Sequence, residues 1–343
     1  MIAIRRSLAL AAIVVLAQAV PVLAQESAPP GSIGIRLLEA PVAFQHDPRA
    51  RVFIIDHLAQ GEAIHRRIGV SSGLDHPERL SLYAAGAAIS GGRFRFLDGH
   101  AQNELSGWIT VDPSTVDLAP HGSATAEVTI AVPPGAADGE RYSVVWAESA
   151  PSRPPSGGLT RINRVGIRVY LSVGSGNVPP TDFRIESLTA MQDRAGRRFV
   201  SATVFNSGGR AIDVTGRLRL TDGPGGISAG PFDVQSGTTI GIGQREPVRV
   251  QLDPQLPRGP WRAALVLSSG LVRRRAEATI TFPARAGARS SPVSSDSGGG
   301  VWWLILVTVV VLAGGWWFLL LVRRRRRQGE RGGAHRVGAL HRR

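Results

Sequence analysis

Gly69-Val70-Ser71-Ser72-Gly73 has the G-x-S-x-G spacing of a nucleophile elbow, with Asp75 and His76 close behind. A serine is activated there only on a strand-to-helix turn in an α/β sheet, where its Oγ stands clear at the apex. Here Leu74-Asp75-His76-Pro77 follows, with no helical period, so the stretch is expected to be a strand-to-strand turn without catalysis. His46, His57, His65, His76, His100 and His121 sit in the first half of the chain, some beside aspartates. A metal needs several ligands converging, and no H-x-x-x-H helix or cysteine pair organises these, so no metal site is expected. His65 alternates outward from Ile64 and Ile68 and reads as solvated. Gly241-Ile242-Gly243 lacks the third glycine and the helix of a dinucleotide loop, so no cofactor is expected. Asp112, Asp117 and Glu127 are scattered over turns and strand faces. Spacing alone does not say whether any two stand at glycosidase separation. No catalytic residue is assigned.

The elements that must position these residues are strands. In Arg164 to Val173 the residues Val165, Ile167, Val169, Leu171 and Val173 alternate with Arg164, Gly166, Arg168, Tyr170 and Ser172, a period of two. The same alternation runs through Ala126 to Val132, Val248 to Leu252, Trp261 to Leu267 and Ala276 to Phe282. Between the two apolar ends of the chain no stretch keeps an i, i+3, i+4, i+7 pattern for three turns, so this middle is expected to be all-β. Gly174-Ser175-Gly176-Asn177-Val178-Pro179-Pro180 breaks it into a first domain at about 31–174 and a second at about 181–283. The two blocks repeat: Val70-Ser71-Ser72-Gly73 leads to Leu80-Ser81-Leu82 as Phe205-Asn206-Ser207-Gly208 leads to Ile212-Asp213-Val214. Two tandem immunoglobulin-like β-sandwiches of one type are expected. Residues 284–300, rich in Ser, Gly and Ala, read as a flexible stalk.

Both ends of the chain are apolar. Arg5 and Arg6 precede the apolar run Leu8 to Val20, and Val22-Leu23-Ala24 offers a cleavage site before Gln25, so residues 1–24 read as a secretory signal peptide. Val301 to Val322 carries no charge, and as a helix would be about 33 Å long, enough for a hydrocarbon core of about 30 Å. Trp302 and Trp303 stand at one end and Trp316 and Trp317 near the other, as headgroup-seeking rings do. Arg323, Arg324, Arg325, Arg326 and Arg327 follow at once, which fixes 323–343 as a cytoplasmic tail and everything earlier as outside the cell membrane. The net charge of +14 is concentrated at the ends: the tail contributes +8 and Arg5 and Arg6 add +2, leaving +4 elsewhere. The tail is used up by anionic lipid, which removes the case for nucleic acid. No cysteine occurs, so the exported domains must hold by their cores alone.

The order of signal peptide, two β domains, one span and a basic tail resembles the WxL-interacting protein family of bacterial surface proteins. Within the first domain Ala85, Gly92 and Phe96 resemble its spaced alanine, glycine and aromatic. Trp108 to Val111 with Leu118 to Pro120 resembles its tryptophan strand and Pro-bearing loop, and Pro133 with Asp138-Gly139 its closing turn. The Val204 to Val214 hairpin is also similar to the NPCBM-associated, NEW3-like modules. The first resemblance implies a first domain that binds peptidoglycan and a second that contacts another protein. The expected function is non-enzymatic: a single-pass cell-surface protein binding cell-wall peptidoglycan or a partner surface protein near the membrane. The alternative is an accessory module of a wall-active or carbohydrate-active enzyme, or a hydrolase with carboxylates still unpaired.

Overall fold

The computed structural model describes residues 28–150, 162–284, 290–291 and 293–294. They are all-β, in two compact units: the first runs to Asn177 and the second from Val178, with the hairpin tip Ile89–Arg95 counted with the second. The expected signal peptide with Ala24 and Gln25, the apolar stretch 301–322 with Trp302, Trp303, Trp316 and Trp317, and Arg323 to Arg327 lie outside the described residues. Among the described residues no helix is long and apolar enough to cross a membrane.

The first unit is built from β1 (Ile33–Leu37), β2 (Ile54–Leu58), β3 (Ala63–Ser72), β4 (Glu78–Ser90), β5 (Arg93–Phe96), β6 (Ile109–Asp112), β7 (Thr115–Leu118), β8 (Ser123–Ala131), β9 (Gly139–Ser149) and β10 (Arg164–Val173). One sheet has the order β1-β3-β8-β6; the other has β2-β10-β9-β4-β5, with β7 also on β4. Alternation sends Ile68 and Val70 of β3, Val128 and Ile130 of β8, Val145 and Ala147 of β9, and Ile167, Val169 and Leu171 of β10 into one shared core. Each fully buried aliphatic side chain there contributes about 1.5–3 kcal/mol. β1 with β3, β3 with β8, β6 with β8, β9 with β10, β4 with β9 and β4 with β7 pair antiparallel, whereas β10 and β2 run parallel over Val169–Val173 and Ile54–Leu58. Asp56 alternates inward with Ile54 and Leu58, and Arg66 of β3 reaches it from the other sheet. Nε lies 3.1 Å from Oδ2 and Nη2 2.5 Å from Oδ1, a bidentate bond between the layers.

The second unit contains β11 (Phe183–Gln192), β12 (Arg198–Asn206), β13 (Ile212–Thr221), β14 (Ala229–Asp233), β15 (Thr238–Ile240), β16 (Arg245–Gln251), β17 (Trp261–Ser269), β18 (Val272–Ile280) and the short β19 (Val293–Ser294). Its sheets are β16-β12-β11-β19 and β14-β13-β17-β18, with β15 on β13. Trp261 is fully buried and its indole N–H donates to Pro257 O at 2.9 Å. The ring needs Gly223: a Cβ there would stand 2.2 Å from it. Asn206, also fully buried, donates to Arg210 O (2.8 Å) and Ile240 O (3.0 Å) and accepts from Gly208 N–H (3.0 Å), which fixes the turn after β12.

One detail recurs in both units. Gly73 follows β3 and exchanges hydrogen bonds with Gly31 and Ser32, just before β1; Gly208 follows β12 and donates to Asp182, just before β11. A Cβ on Gly73 would meet Pro29 O at 2.2 Å, and one on Gly208 would meet Asp182 N at 2.5 Å. The backbones approach too closely there for any side chain.

The stretch expected to be a free stalk is not one throughout. Ser290 donates its backbone N–H to Ala190 O at 3.1 Å, and Val293–Ser294 pair with Leu188 and Ser187 of β11. An uncovered sheet edge attracts any extended segment able to satisfy its N–H and C=O groups, whatever that segment's polarity. Trp108 likewise departs from expectation: it closes a 3-10 turn, Ser106–Trp108, and the strand begins only at Ile109.

Candidate functional site

The first unit carries most of its aromatic residues away from its core, on the outer face of β4, β9 and β10. Inward alternation of Val145 and Ala147 turns Tyr142, Val144, Trp146 and Glu148 outward. Tyr83, Trp146 and Gly166 are register partners across the three strands. A Cβ on Gly166 would stand 2.6 Å from Trp146 Cε3 and 2.8 Å from Val144 Cγ2, so the indole lies flat over β10 only because that position is glycine. The Arg164 guanidinium covers the ring at 4.6 Å, and Phe96 meets it edge-on at 4.7 Å. Trp146 is 6% exposed, and its Nε1 is buried with no hydrogen-bond partner among the described residues. An unpaired buried donor of this kind costs roughly 1–3 kcal/mol.

Beside it Tyr83 stacks on His100 with ring centroids 4.0 Å apart, and the two share one carboxylate. The phenol donates to Glu148 Oε2 at 2.5 Å, and His100 Nε2 lies 3.2 Å from Glu148 Oε1. Burial, then the bond to Glu148, pushes the Tyr83 phenol up to about 12. The loop that brings in His100 is held by Asn103, whose amide donates to Ala87 O (3.0 Å) and Tyr142 O (2.7 Å). Gly86 lets this loop lie against β4, since a Cβ there would meet Leu97 Cδ1 at 2.6 Å. Further along the same face Tyr170 is stacked by Arg49 at 5.0 Å and Phe53 by Arg168 at 5.3 Å. Tyr142 packs edge-on to Tyr170 at 5.9 Å and donates to Glu140 at 2.7 Å. Burial, reinforced by Glu140, raises its phenol well above the usual tyrosine range.

No protein-family model matches the chain, and no curated protein does either. Solved structures similar to it include the class 5 fimbriae chaperone CfaA, at 15% identity and a TM-score of 0.32, over 73% of this chain and 100% of that one. The complex of Salmonella enterica SafA pilin with the SafB chaperone aligns at 11% identity and a TM-score of 0.40, over 74% of this chain and 99% of that one. The E. coli chaperone DraB aligns at 12% and 0.36, over 67% and 95%. Likeness at this level reaches no further than an all-β sandwich architecture.

The exposed ring of Phe96 beside the Arg164 guanidinium and His100 suits a ligand that presents apolar patches and acceptor oxygens together, as glycans and peptides do. Of the residues singled out by sequence pattern, Ala85 and Phe96 come together here, against Trp146. The others are elsewhere. Gly92 is a turn glycine at φ +69°; Trp108 is covered by Arg141 at 5.0 Å; Pro133 follows β8; Asp138 accepts from Gln60 Nε2 at 3.4 Å beside Gly139. The sequence pattern does not single out Trp146, which lies in a strand that is apolar on both faces.

The remaining candidates disperse. Ser71 lies inside β3 opposite Gly34 and Ser123, with no helix after it. His57 bonds Gly176 O, His65 bonds Glu127, His76 bonds Pro77 O, and His121 pairs with Asp75, each in a different place. Among the described residues no three metal-ligating side chains gather. Asp112 and Glu127 are register partners, but on an exposed sheet face, with Glu127 held 3.0 Å from His65 Nδ1; Asp117 pairs with Arg79.

Proposed function

We propose that the chain is a non-enzymatic, single-pass cell-surface protein, related in organisation to the WxL-interacting proteins. Two tandem immunoglobulin-like domains stand outside the membrane, and the first grips cell-wall peptidoglycan or a partner surface protein. The supporting observation is the aromatic and arginine layer around Trp146. Such a layer lies outside the core that holds the sandwich together, and it presents Phe96, 39% exposed, beside Arg164 and His100. A binding surface of this type concentrates its energy in a few aromatic and arginine contacts.

The test is retention of the full chain, in detergent, on purified peptidoglycan sacculi and on a column of solubilised surface proteins. Phe96→Ala with Arg164→Ala should weaken retention by roughly 30-fold, corresponding to about 2 kcal/mol at an anchor of this kind. Retention by neither matrix, or equal retention of wild type and double variant, would sink the reading. Release of soluble fragments from the sacculi would favour the enzymatic alternative.

A further inference from the structure

The second unit has a groove of about 740 Å3 on the outer face of β13, β17 and β18, floored by the small residues Ala264 and Val266. Arg217, Arg219, Arg273 and Arg275 line it, against one lining carboxylate, Asp233. Register sets Arg217 and Arg275 on either side of Val266. Arg217 is paired with Asp233, and Arg275 with Glu277; Arg219 and Arg273 carry no ion pair among the described residues. At the end of the groove, in the turn between β17 and β18, Leu271 is 72% exposed.

The charge of this face and the reach of the chain say what it meets. β19 pairs antiparallel with β11, with Ser294 opposite Ser187. Phe183 O accepts from Arg274 Nε at 3.1 Å, and Asp182 pairs with Arg274, so the start of β11 lies beside the Leu271 end of β18. Seven residue steps separate Ser294 from Val301, at most about 25 Å, so the apolar stretch opens within that distance of β19.

We propose that this face docks on anionic phospholipid headgroups, with Leu271 entering the interface and the groove arginines meeting lipid phosphates. The inference rests on the anchored reading given above. Each arginine near an anionic surface strengthens such contact about fivefold, and one apolar tip adds depth.

The chain has no cysteine, so Leu271→Cys provides a unique site for an environment-sensitive fluorophore. The full chain is placed in nanodiscs of phosphatidylcholine, with or without phosphatidylglycerol. The expected result is blue-shifted emission in discs containing phosphatidylglycerol, while the same label at Gln255→Cys, beyond the opposite end of β17, stays in water. Arg273→Glu with Arg275→Glu should lower the docking equilibrium by at least about 25-fold. A Leu271 label that remains in water in anionic discs overturns this inference and leaves the anchored reading intact. So does a shift indifferent to phosphatidylglycerol and to the two reversals. A chain that does not enter nanodiscs at all overturns the anchored reading, and this inference with it.

Discussion

Replacing Asp56 with alanine should cost the first unit about 3 kcal/mol. Its side chain is 6% exposed and that of Arg66 15%, so the pair sits almost dry between the two sheets. Removing one member of a buried pair costs about 3–5 kcal/mol, mostly because the other is left charged and unpaired. Arg66 would keep its bond from Nη1 to His65 O at 2.8 Å and a sliver of solvent, which argues for the lower end of that range. At a slope of about 2 kcal/mol per molar urea the midpoint falls by about 1.5 M. The measurement is urea unfolding of the full chain, followed by hydrogen exchange on peptides from β2 and β3, with β17 peptides as an internal control that should not move. Combining Asp56→Ala with Arg66→Met removes the stranded charge, so most of the loss should return. A shift below about 0.5 M for the single variant, or a double variant no more stable than it, would refute the reasoning.

The second unit offers a parallel case: Asn206→Ala should lower its stability by about 3 kcal/mol, because two buried carbonyls and the Gly208 N–H lose their partner together. The same exchange experiment read on β12 and β13 checks this, and a loss under about 1 kcal/mol contradicts it. Tyr83 should titrate near 12 in a difference-absorbance scan. Its folded value lies above the ordinary 10, so the neutral phenol favours the fold; that contribution is complete below pH 10 and disappears as pH rises towards 12. Glu148→Gln should bring the midpoint part of the way back, since burial is the larger cause. An unchanged midpoint would mean that the carboxylate plays no part.

Where aliphatic residues alternate strictly with other types along a strand, the sequence is legible. Arg164 to Val173 is read from alternation alone and is β10 from end to end, and Trp261 opens β17 as expected. The all-β character follows from the same signal. The aromatic layer was hidden because β9 is apolar on both faces: Tyr142, Val144 and Trp146 interleave with Val145 and Ala147, which erases the period of two. Asp56 and Arg66 were hidden for a related reason, since a charged residue in a strand reads as outward-facing until its partner on the opposite sheet is known. The parallel pairing of β2 with β10 joins segments more than a hundred residues apart, and β19 is too short to carry a pattern at all.

Parallel pairing of β2 with β10 also decides how the first unit bears load. β10 closes the unit and β2 follows β1 near its start, pointing the same way, so once β1 has come away from β3 tension pulls β2 by its start and β10 by its finish, sliding one along the other. All their shared hydrogen bonds resist at once, as in a lap joint, whereas an antiparallel pair tugged from one end unzips bond by bond. A single-molecule force ramp should then find the first unit yielding abruptly at high force; a low plateau would show that some other pair gives way first. A domain without disulfides acquires in this way a brace against being drawn out between two attachments.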